Sequence, residues 1–158
     1  MQDTLPIHFA PLQGYTEAIY RNAHDAFFGG VDTYYTPFVR LEKGNFRRRD
    51  VRGIEPENNG VPHLIPQLIA SSAEKAEVIL SLFIEKGYQE VDINLGCPFP
   101  LLAKRHNGSG ILPYPEEVKA LLSIVTRYPQ ISFSVKMRLG WEQPDECLAL
   151  APILNDLP

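Results

Sequence analysis

Short apolar runs rich in aromatic and β-branched residues recur along this chain, and longer amphipathic segments separate them. Strands separated by helix-length segments pair in parallel through right-handed crossovers, so the pattern commits the chain to an α/β fold. The order reads β, α, β, β, α, β, α, β, α. Strands are expected over residues 6–12, 33–39, 63–69, 90–95 and 131–139, and helices over 17–28, 73–86, 115–127 and 144–154. Local signals support two of the helices. Ser71 and Ser72 stand before Ala73 with Glu74 in the first turn and Gly87 just past the end, and Pro115 opens a turn carrying Glu116 and Glu117.

Residues 42–61 break the rhythm. They hold Lys43, Arg47, Arg48, Arg49 and Arg52 among Gly44, Gly53, Asn58, Asn59 and Gly60, and read as a long polar excursion between the second and third strands. No internal repeat and no linker divides the chain. Five β units are present, whereas a complete (β/α)8 barrel takes about 250 residues, so periodicity leaves open a five-stranded sheet or a barrel cut short.

With 158 residues, 44% of them hydrophobic and 22% charged, the chain can bury a core, which excludes disorder and a disulfide-dense miniprotein. Its 15 basic against 19 acidic residues give a net charge of −4, so any nucleic-acid contact must be local rather than a matter of bulk charge. Cys97 and Cys147 have no metal-like spacing, and structural zinc and a disulfide framework drop out. No signal peptide and no apolar run of about 18 residues occurs, so the expected setting is cytoplasmic, with neither membrane nor metal as a partner.

In parallel α/β folds, binding residues gather where strands end. In the run from Val91 to Pro98, Val91, Ile93 and Leu95 alternate with Asp92, Asn94 and Gly96, which puts the polar set on one face and Cys97 at the mouth of the following loop. A free cysteine is usually a small buried hydrophobe, and Cys147, beside Leu148 and Leu150, fits that description. For Cys97, Asn94 and the Gly-Cys-Pro turn at a strand end point instead to function. Ser134, Lys136 and Arg138 share a face in the same way, calling for anionic or electron-rich partners unless the strand is a solvated edge; Asp92 and Glu142 are the candidate partners for Arg138. Gln67 is a lone amide in an apolar strand, suited to a heterocycle edge or to a satisfied core position. The segment from Asn107 to Gly110 has the look of a phosphate-cradling loop without the spacing of one, and by itself reads as a flexible loop; Lys104, Arg105 and His106 before it form a small basic patch.

Taken together, the run from Ala10 to Thr16, the Gln67-Leu68 strand, the run from Asp92 to Pro98, the run from Gly108 to Leu112 and the run from Val135 to Gly140 resemble, in order, the tRNA-dihydrouridine synthases. The Asn-Leu-Gly-Cys-Pro and Val-Lys-Met-Arg-Leu-Gly pair is the most specific part. The resemblance implies an FMN-dependent (β/α)8 barrel that reduces the C5–C6 bond of uridines in tRNA with NADPH as the electron source. By position it implies that Pro11, Leu12 and Gln13 line the flavin, that Gln67 and Lys136 bond its ring system, that Asn94 and Arg138 contact the substrate, and that Cys97 is the proton donor. Hydride addition at C6 leaves a carbanionic C5, and a thiol, which ordinarily titrates at about 8.5, is mostly protonated at neutral pH and can serve as the acid.

The chain departs from the family pattern in three ways. Pro100 and Leu101 stand where a Lys usually follows the Cys, leaving Lys104 as a substitute; Thr36-Pro37-Phe38 replaces a Ser/Thr-Glu-Met; and the later barrel strands, with the FMN phosphate loops and the helical tRNA-binding domain, fall outside the 158 residues. The expectation is therefore an N-terminal portion of the catalytic barrel that binds FMN weakly or not at all alone. Two competing readings are a dihydroorotate dehydrogenase-like FMN-barrel enzyme, and a half-barrel acting as an RNA-binding or assembly module.

Overall fold

Every apolar run expected as a strand contributes one, and in both of the larger sheets the registered pairings are parallel. The computed structural model describes residues 5–158. They divide into two units between Gln67 and Leu68, and each has its own core.

The first unit runs β1 (His8–Phe9), α1 (Ala18–Phe27), β2 (Thr33–Tyr35), β3 (Leu41–Glu42), β4 (Asn45–Phe46), α2 (Arg48–Ile54), a single 3-10 turn at Pro56–Asn58, and β5 (Leu64–Ile65). Its sheet has the order β1-β2-β5, with Phe9 opposite Tyr34 and Tyr34 opposite Leu64. Tyr34 at the centre is fully buried, with the rings of Phe9 and His24 packed around it. Burial and the neighbouring Asp25 carboxylate, to which its hydroxyl donates, push the Tyr34 phenol up.

The strands are shorter than expected for a local reason. Thr36 N–H still donates to the Ile65 carbonyl and Val39 N–H to the Gln67 carbonyl, but Pro37 and Pro66 between them have no N–H to give. The interrupted ladder splits the expected third strand into β5 and β6 (Gln67–Leu68).

The polar excursion is folded. Lys43 and Gly44, both at positive φ, make the two-residue turn of the β3–β4 hairpin. Behind it, the fully buried Arg21 of α1 donates to the carbonyls of Thr16 and Gly53 and to Asn59 Oδ1, at 2.6, 2.8 and 2.5 Å. The excursion hangs on this guanidinium.

The second unit continues with α3 (Ala73–Glu85), β7 (Glu90–Leu95), α4 (Pro100–Ala103), a 3-10 turn at Gly108–Ile111, α5 (Pro115–Arg127), β8 (Ser132–Met137) and α6 (Glu146–Asn155). The sheet order is β6-β7-β8. Ile79, Leu80 and Phe83 of α3, Val118, Leu121 and Ile124 of α5, and Val91, Ile93 and Leu95 of β7 are all buried. Ser72 caps α3 as expected, its hydroxyl accepting from Lys75 N–H. α6 starts two residues later than expected, because Glu146 turns back to cap the loop before it. The whole is an α/β arrangement compatible with part of a (β/α)8 barrel; the described strands do not close into one. No helix among the described residues is long and apolar enough to cross a membrane.

Candidate active site

Parallel pairing of β7 with β8 sets Asp92 opposite Ser134 and Asn94 opposite Lys136, while Val91, Ile93 and Leu95 meet Phe133, Val135 and Met137. Registered partners share a face, so the alternation expected from sequence becomes one polar and one apolar face. Ser134 Oγ donates to Asp92 Oδ1 at 2.7 Å, which confirms the shared side. Asp92 and Asn94 are both buried.

At the end of β7, Asn94 turns its side chain along its own backbone. Its Oδ1 accepts from the N–H groups of Gly96 and Cys97, at 3.0 and 2.9 Å, the Asx geometry that starts a tight turn. The Cys97 carbonyl is taken as well: Ser109 donates to it twice, from N–H and from Oγ, both at 3.0 Å. Gly108, at φ +60, lies so close that a Cβ there would stand 2.7 Å from the Cys97 oxygen and 2.9 Å from its Cβ. A Cβ on Gly110 would collide with the Ala103 carbonyl. The Asn-Gly-Ser-Gly segment is thus neither a flexible loop nor an open cradle; Gly108, Ser109 and Gly110 are buried against Cys97 and the end of α4.

The backbone of Cys97 is held at every polar atom, yet its Sγ makes no hydrogen bond among the described residues, and the residue is half-buried. Cys147 differs: its thiol donates to the Pro144 carbonyl. Lys136 and Arg138 are exposed and make no ion pair among the described residues. Among the described residues β8 is the last strand of its sheet, and Lys136 on it is exposed. Arg138 opens the loop through Pro144 and meets neither Asp92 nor Glu142. That loop is organised by Glu146, whose carboxylate accepts from the N–H groups of Trp141, Glu142 and Gln143. Burial works to raise the Glu146 pKa, but the three backbone donors outweigh it and hold the carboxyl below its ordinary value.

In the first unit, Leu12 N–H donates to Thr16 Oγ1 and the Leu12 carbonyl accepts from Tyr15 and Thr16 N–H, so the turn after β1 presents Pro11, Leu12 and Gln13 in sequence. Both amide atoms of Gln13 are enclosed and have no partner among the described residues. Gln67 is 1% exposed, its N–H on Thr36 Oγ1. The charged patches are partly consumed by structure. Arg47 grips Asp50 through Nε and a terminal nitrogen at 2.8 and 2.7 Å, leaving Arg48, Arg49 and Arg52 exposed. His106 stacks on Tyr114 and binds Glu117 at 2.7 Å, while Lys104 and Arg105 stay exposed. No group of three or more metal-ligating side chains gathers among the described residues.

Sequence reasoning named Asn94 and Cys97 but missed Ser109 as the partner of Cys97; the one available signal was a Ser between two glycines twelve residues downstream.

Comparison with known proteins adds a family. The family model described as Dihydrouridine synthase (Dus) matches residues 8–157. A tRNA-dihydrouridine(16) synthase of Pseudomonas putida is 30% identical over 161 residues, covering 96% of this chain and 49% of that protein. A probable tRNA-dihydrouridine synthase 1 of Synechocystis sp. is 29% identical over 84% of this chain and 37% of its own length. A tRNA-dihydrouridine synthase B of Vibrio cholerae is 33% identical over 58% of this chain and 26% of its own. The chain spans less than half the length of each of these relatives.

Proposed function

The chain belongs to the dihydrouridine synthase family, and from that premise we propose that the protein reduces the C5–C6 bond of a uridine in cytoplasmic tRNA, with FMN as cofactor and NADPH as electron source. The observation that carries this reading is Cys97: a backbone fixed at N–H and carbonyl, and a thiol that makes no hydrogen bond among the described residues. A structural cysteine has no need of that arrangement, whereas an acid that must meet a substrate atom does.

The residues present fit a flavin. Gln13 carries an enclosed amide without a partner among the described residues, and a buried polar group of that kind is costly unless a ligand satisfies it. By resemblance to the family, Pro11, Leu12 and Gln13 would line the flavin and Gln67 and Lys136 would bond its ring system; an amide suits a heterocycle edge, and a lysine suits an electron-rich ring. FMN, when bound and reduced, would supply hydride to C6 of the uracil.

The remaining steps belong to this chain. Asn94 orients the Cys97 turn and helps hold the uracil. Arg138, exposed at the strand end, offers a planar pair of donors to an anionic group of the RNA. Cys97 gives its proton to C5: the S–H bond breaks, the C5–H bond forms, and the sulfur keeps the electron pair until solvent returns a proton. In this reading the described parallel strands are the first five of the catalytic (β/α)8 barrel.

The test is Cys97→Ala in the full-length protein, assayed for dihydrouridine in tRNA. Flavin reduction by NADPH is expected to persist while dihydrouridine formation falls by about 100-fold or more. Wild-type turnover by the variant would remove Cys97 from this role. Turnover of dihydroorotate in place of tRNA would move the protein to the other FMN-barrel class.

A further inference from the structure

The Cys97 turn is held by a residue that no motif reading assigns a role. We propose that Ser109 is a positioning residue for the Cys97 thiol, acting by fixing the peptide that carries it. The inference rests on the reading of Cys97 as proton donor and adds to it the device that aims the proton.

Rotation about the Cys97 backbone is what would swing the thiol away from a substrate carbon. On the N-terminal side that rotation is opposed by Asn94 Oδ1, which accepts from Gly96 and Cys97 N–H. On the C-terminal side only Ser109 opposes it through hydrogen bonds among the described residues. Its N–H and Oγ–H use both lone pairs of the Cys97 carbonyl, each at 3.0 Å. Ser109 is itself fully buried, and Gly108 and Gly110 on either side approach Cys97 and Ala103 too closely for any side chain. A donor this deep, flanked by two residues that must be glycine, is a fixed jaw rather than a surface hydroxyl. Among the described residues, two anchors hold the Cys97 backbone and leave only its side chain unbound, so the peptide that carries the thiol is fixed while the thiol stays available to a substrate atom.

The hydroxyl can be removed while the backbone N–H stays. In the full-length, FMN-loaded protein, Ser109→Ala is expected to slow reoxidation of the reduced flavin by tRNA about 10- to 100-fold. Flavin reduction by NADPH and the KM for tRNA are expected to be unchanged. Ser109→Cys, which keeps the volume and weakens the donor, is expected to show the same split. A wild-type reoxidation rate in either folded variant overturns the proposal, as does a change confined to KM. Loss of folding in both variants also overturns it, because Ser109 would then be a packing residue. Cys97→Ala in the same assay separates the two readings. If that variant reoxidises normally, the proton-donor reading fails; if it is inactive while Ser109→Ala is normal, only the positioning role fails.

Discussion

A fully buried guanidinium needs acceptors, and Arg21 finds carbonyls and an amide oxygen 5, 32 and 38 residues away. Arg21→Met would leave the Thr16 and Gly53 carbonyls without this donor. The expected outcome is a loss of about 3 kcal/mol in stability, read as a lower urea midpoint at unchanged m-value. Residues of this kind show how much of the site was legible. Asp92, Asn94 and Lys136 declared a common face through alternation alone, because a strand fixes side-chain direction with period two. Ser109 and Arg21 declared nothing, since their work depends on partners brought close by folding rather than by spacing.

At the scale of elements, helices that carry their own start signals were read closely. α5 occupies the expected 115–127, with proline in its first turn and Glu116 and Glu117 beside it. Strand ends were harder, because Pro37 follows β2 and Pro66 follows its neighbour β5, and the gap in the ladder appears only once those strands are paired. The β3–β4 hairpin was hidden by a Lys-Gly turn where Asn-Gly would have announced it. The loop before α6 yields a pH prediction. Glu146 has a folded pKa below its ordinary 4.5, so its contribution is complete above that value and is lost as pH falls through the lower folded one. Trp141, the only tryptophan, donates its N–H to this carboxylate and reports on the loop directly. Its emission is expected to hold steady across neutral pH and to shift only in acid. In Glu146→Gln the shifted spectrum is expected already at pH 7, with little further change on acidification.

For the molecule as a whole, the alternation of strands and helices established the α/β class and the parallel pairing. Whether the strands close into a barrel was not legible, because closure depends on tilt and stagger accumulated over many strands and leaves no local mark. The loop with the look of a phosphate cradle is filled by the protein itself, Gly108 against Cys97 and Gly110 against Ala103. A titration of the 158-residue chain with FMN is therefore expected to leave the flavin spectrum near 450 nm unchanged at micromolar protein; tight binding abolished by Lys136→Ala would contradict this. The choice of that control matters, because β8 is the outermost strand of its sheet. In the 158-residue chain taken by itself such a strand offers unpaired N–H and C=O groups as a template for another copy, and a lysine there discourages the match; in the proposed barrel that side belongs to the next strand. In a titration of the isolated chain, Lys136→Ala would therefore remove a guard against self-pairing together with the proposed ring cation, whereas Lys136→Arg would keep the charge and change its shape.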